Sequence, residues 1–129
     1  MLDNLDIFIN YDGNIEDIAK KISELLGIEL LKEIDEIANV QRYTFRFFDI
    51  EFILIDNHEL EDDCGIVFSD YNYELGMIKL YSGEKYKSYD KIYNDIAIFL
   101  TEKISYSFST NVMLVDNLQS VLLITVPAK

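Results

Sequence analysis

Residues 58–65, HELEDDCG, hold the chain's only histidine, its only cysteine and the four carboxylates Glu59, Glu61, Asp62 and Asp63. Three chemistries draw on such a set: metal ligation, thiol catalysis and electrostatic binding of a basic partner. A structural zinc site takes four Cys or His ligands, and a catalytic one takes three with an open position. Here His58 and Cys64 stand alone among acids. Neither DNHELEDDCG nor DYNYELG places oxygen ligands and a glycine at calcium-loop spacing. Thiol catalysis needs an activated thiolate beside a base, which electropositive surroundings favour and an acidic run opposes. A lone cysteine next to apolar IVF is expected instead to fill a core margin.

Other catalytic patterns are equally thin. There is no GxSxG elbow, and the glycines at 13, 27, 65, 76 and 83 form neither a phosphate loop nor a dinucleotide fingerprint. Paired carboxylates carry no information in a chain with 24 acids. The expectation is therefore a protein that is not an enzyme and uses no cofactor or metal.

Electrostatic binding survives this elimination. Eleven basic against 24 acidic side chains give a formal charge of −13. Such a field repels nucleic acid and anionic membrane and steers basic proteins inward. Aromatic residues reinforce the point, because tyrosine buries a rigid ring at an interface while keeping a polar tip. Tyr71, Tyr73, Tyr81, Tyr86, Tyr89 and Tyr93 crowd one stretch. In an extended segment Tyr71 and Tyr73 share a face, and so do Asp70, Asn72 and Glu74 on the other. The candidate partner-binding set is thus Glu59, Glu61, Asp62, Asp63, Asp70 and Glu74, with Tyr71 and Tyr73 as anchors. Tyr89 and Tyr93 fit a helical core stripe.

The elements that must position these residues follow from periodicity. LDIFINYDG (5–13) reads as a short strand ending in a turn. Asn14 then caps a helix, with Asp17 at the third helical position and a stripe of Ile15, Ile18, Ala19, Ile22, Leu25 and Leu26. Gly27 ends that helix or sits within it, since IELLKEIDEIA is rich in helix formers. VQRYTFRFFDIEFILID (40–56) is either one bent strand or two strands turning near Phe48–Ile50. After the acidic loop, IVFSDYNY and ELGMIKLYS suggest two strands around Asn72. Ser88 caps a second helix whose stripe is Tyr89, Ile92, Tyr93, Ile96, Phe99, Leu100 and Ile104. NVMLVDNLQSVLLITVP closes the chain as a hairpin turning near Asp116–Asn117.

The order β-α-β-β-β-β-α-β-β predicts an α+β fold in which a mainly antiparallel sheet packs against two helices. Residues 1–129 suit a single domain in length and carry no repeat or linker. One cysteine excludes an intrachain disulfide and suggests a reducing compartment. MLDNLDIF lacks the features of a signal peptide, and no run reaches the roughly 18 apolar residues of a membrane span. A cytoplasmic protein is expected.

In size, acidity and element order the chain resembles bacterial immunity proteins of toxin–immunity systems, especially those of contact-dependent growth inhibition. That resemblance implies cytoplasmic neutralisation of a cognate basic toxin domain, commonly a nuclease, by blocking its active or substrate-binding site. It carries over no individual residue, and stoichiometry stays open. Two rival expectations are an acidic adaptor or structural interaction domain, and a metal-assisted hydrolase using the acidic loop.

Overall fold

The computed structural model describes residues 4–38, 40–56, 58–81 and 87–127. Within them the order β-α-β-β-β-β-α-β-β holds, as β1 (Leu5–Ile9), α1 (Ile15–Leu26), β2 (Leu31–Asp35), β3 (Val40–Phe47), β4 (Ile50–Ile55), β5 (Tyr73–Lys79), α2 (Lys87–Phe108), β6 (Val112–Asp116) and β7 (Ser120–Thr125). All seven strands form one antiparallel sheet in the order β2-β3-β4-β5-β1-β6-β7. The result is the expected α+β architecture. None of the helices described is long and apolar enough to cross a membrane.

Alternation along the central strands decides what each sheet face does. Leu5, Ile7 and Ile9 of β1, Leu75 and Met77 of β5, and Phe52 and Leu54 of β4 point to the helix side. There they meet Ile15, Ile18, Ala19 and Ile22 of α1 and Tyr93, Ala97, Leu100 and Ile104 of α2. Asn14 does cap α1: its Oδ1 accepts from the Asp17 backbone N–H at 2.8 Å. Gly27 ends the helix in the left-handed region, with φ of 66°, a conformation glycine adopts without the Cβ penalty. Tyr93 fastens α2 to the sheet, because its hydroxyl donates to Met77 O at 2.7 Å and accepts from Leu5 N–H at 2.8 Å.

Of the two readings of residues 40–56, the two-strand one holds: β3 and β4 pair Phe47 to Ile50 around a tight turn at Phe48–Asp49. Two element readings change. The first strand after α1 is Leu31–Asp35, where helix formers suggested continued helix; it pairs with β3 from Leu31–Thr44 to Asp35–Val40. Conversely, IVFSDYNY is not a strand. It runs through a single 3-10 turn at Phe68–Asp70 before β5 begins at Tyr73. The count of strands between the helices survives because one gain offsets one loss. Ser88 lies inside α2 rather than ahead of it, and Tyr86 falls outside the described residues.

Candidate functional site

The loop between β4 and β5 folds back over the sheet face opposite the helices. Its grip comes from a second, smaller core: Ile66, Phe68 and Tyr71 of the loop pack with Phe8 of β1 and with Met113 and Val115 of β6. Phe8 follows Asp6 on the face that Leu5 and Ile7 avoid, so β1 serves two cores at once. The apolar IVF run therefore marks burial under a loop rather than a strand.

His58 pins the start of this loop. Its Nε2–H donates to Tyr71 O at 2.7 Å, and its Nδ1 accepts from the Leu60 N–H at 3.0 Å. The ring also meets Phe8 edge-on, with centroids 5.5 Å apart. Those two bonds use both nitrogens of the neutral ring, which makes His58 a structural residue here. Cys64 is exposed in a left-handed turn between the bridged residues Asp63 and Ile66, so it does not fill the core margin expected of it. Among the described residues, no three His, Cys, Asp or Glu side chains gather to hold a metal ion.

The acids of the loop stay in solvent. Glu59, Glu61, Asp62, Asp63 and Asp70 are all exposed. Two of them also brace the backbone. Asp62 accepts from the Ser69 N–H at 2.9 Å and from its hydroxyl at 3.1 Å, and Asp63 accepts from the Cys64 N–H at 2.8 Å. The outcome is an acidic platform held in shape by its own small core.

The two tyrosines proposed as anchors do not share a face. Tyr71, 8% exposed, belongs to the small core beneath the loop, and Tyr73, 4% exposed, belongs to the main core. The Tyr73 hydroxyl donates to Gly13 O. The 3-10 turn before Tyr71 breaks the extended run on which the shared face depended. Neither ring is offered to a partner in this structure, so the anchor role is withdrawn.

Glu74 sits apart from the loop acids, in a cleft that the sequence did not single out. Register places Glu74 opposite Phe8 and Gly76 opposite Asp6, so the two carboxyls are diagonal neighbours on the loop side of the sheet. The cleft has a volume of about 350 Å³; Ile53, Ile55 and Ile78 wall it, and the Asn117–Leu118 turn closes one end. Gly76 leaves room for the pair, since a Cβ there would lie 3.2 Å from Asp6 Oδ1. Burial first, then the hydrogen bond with Glu74 and its charge, push the Asp6 carboxyl up to about 8. Burial also raises Glu74, with the same hydrogen bond acting against it. Near neutral pH Asp6 thus keeps its proton and offers it to Glu74. A cation entering the cleft would favour release of that proton. Asp6 was legible as the one charge inside the apolar run LDIFI, but its pairing depends on register.

No protein-family model, curated protein or solved structure matches this chain.

Proposed function

We propose that the chain is an immunity-type inhibitor that acts in the cytoplasm and neutralises a basic toxin domain, a nuclease by its chemistry. The acidic loop covers the cationic surface that the toxin uses for its polyanionic substrate. One observation carries this reading. Glu59, Glu61, Asp62, Asp63 and Asp70 are exposed on a loop clamped to the sheet by a buried cluster, His58 and two braced carboxylates. A platform ordered before binding loses little entropy on binding. The net charge of −13 speeds encounter with a basic surface. The partner-binding set therefore contracts to these five acids, with Glu74 in the adjoining cleft.

The test is co-expression with a toxin domain encoded beside this gene, followed by co-purification and growth rescue. The native chain should restore growth. The triple replacement Glu59→Gln, Glu61→Gln and Asp70→Asn should slow association at low salt, and the gap to the native protein should close as salt rises. Unrelieved growth arrest with a verified cognate toxin would overturn the reading. Equal association rates at low salt would remove the loop from it.

A further inference from the structure

On the helix side of the sheet, away from the acidic loop, the last turn of α1, the outer face of α2 and the β3–β4 turn enclose a groove of about 680 Å³. Its walls are apolar: Leu25 and Leu26 from α1, Phe47 and Phe48 from the turn, Ile96 and Phe99 from α2. Phe48 is 66% exposed and Phe99 51% exposed. On α2 these groove residues lie at helical spacing next to the stripe that enters the core, so α2 is apolar on two adjoining faces.

Phe48 adds an independent observation. It and Asp49 are the two central residues of a two-residue hairpin, with φ of 51° and 54°. Turns with two left-handed residues favour Asn-Gly, and a bulky side chain there is a strained choice. The strain is not offset by burial. It holds an aromatic ring over the groove, edge-on to Phe47 at 5.4 Å.

The charges around the groove indicate what fits it. The residues that line it and their immediate chain neighbours include the exposed acids Glu24, Glu29, Asp49 and Asp95. Their bases are Lys91, held by Asp95 at 2.8 Å, and Arg46, held by Glu51 at 2.6 Å. A second copy of the chain would bring the same acidic rim and another −13 against this one. An apolar floor with an acidic rim instead matches a helix whose apolar face is flanked by lysines or arginines. We infer that this groove is a second docking surface, for a basic amphipathic helix of a partner protein. The assignment does not depend on the toxin-neutralising role of the loop.

The probe is a fluorescent leucine/lysine peptide about four helical turns long, with its leucines on one face. Its control is a scramble of identical composition, which keeps the charge and removes the apolar face. At physiological salt the amphipathic peptide should bind at least about ten-fold tighter than the scramble. Phe48→Asn and Phe99→Gln should each weaken it by roughly ten-fold, the scale of one lost buried aromatic contact. Both positions are solvent-facing, and circular dichroism checks that each variant folds. The Glu59→Gln, Glu61→Gln, Asp70→Asn protein should keep the preference for peptide over scramble, which separates this surface from the loop. Equal binding of peptide and scramble, or indifference to both phenylalanine variants, would overturn the assignment. Self-association of the native chain that Phe48→Asn abolishes, seen by sedimentation velocity, would also overturn it by giving the groove to a second copy.

Discussion

Replacing Asp6 with asparagine isolates the proton held between β1 and β5. The folded chain keeps the Asp6 carboxyl protonated up to about 8, against 3.8 in the unfolded chain. Between those values the folded state binds a proton that the unfolded state has released, so stability falls as pH rises from about 4 to about 8 and levels off above. At about 1.4 kcal/mol per pH unit, that span sets a ceiling near ~6 kcal/mol. Solvent reaching the cleft reduces the expected effect to about 2–3 kcal/mol. Asp6→Asn keeps an N–H donor toward Glu74 and needs no proton. Glu33 and Asp90 work in the opposite sense: Arg42 holds Glu33 below its ordinary range, and Tyr81 followed by Lys79 does so for Asp90. Their contribution is present above the unfolded value and is lost only as pH falls below about 4, outside the window. Urea denaturation from about pH 5 to about pH 8.5 should therefore show the variant gaining on the native protein by about 2–3 kcal/mol as pH rises. General self-repulsion affects both proteins and cancels in the difference. Parallel curves for the two proteins, or a variant that gains toward low pH, would refute the proton held on Asp6.

Other perturbations test the remaining joints. Tyr93→Phe leaves Leu5 N–H and Met77 O without the hydroxyl that bridges them, and should cost about 1–3 kcal/mol in urea denaturation. A loss below a few tenths would show that the bridge contributes nothing net. His58→Ala removes the bonds to Tyr71 O and from Leu60 N–H. Amide exchange at Leu60 should accelerate while the β1–β5 ladder keeps its protection, and unchanged exchange at Leu60 would refute the pinning role. Phe48→Asn relieves left-handed strain and gives up an edge contact. Its stability should stay within about 1 kcal/mol of the native value or rise, whereas a clear loss would make Phe48 a structural residue.

The legible parts of this fold are those set by local chemistry. Asn14 opens α1 because it supplies a side-chain acceptor, and of the two readings of Gly27 the one that ends the helix holds, through its left-handed φ. Alternation in β1, β4 and β5 shows which residues enter the core. What escaped depends on distant partners. Leu31–Asp35 has helical propensity, yet its backbone groups pair with β3, and a ladder outweighs propensities worth tenths of a kcal/mol per residue. Ile66 and Phe68 are as apolar as any strand residue, but burial specifies no backbone shape, and here it is met by a loop on a sheet. The same misreading carried Tyr71 and Tyr73 to one face. The loop acids were legible because exposure is the default for charge. The Asp6–Glu74 pair was not, because it exists only once β5 lies in register with β1.

Where the charge sits connects stability to binding. The chain tolerates 24 acids partly by leaving the loop carboxylates in water and by keeping one proton on the buried pair. Each device is a response to self-repulsion, and a basic partner removes the need for both. Its cations screen the loop, and any that reach the cleft lower the cost of ionising Asp6 and Glu74. Association with a basic partner at neutral pH should then stabilise the fold beyond the contacts made, through relief of repulsion already present in the free protein. The free chain should behave accordingly: added salt should raise its unfolding midpoint at pH 7, and the rise should shrink in the complex.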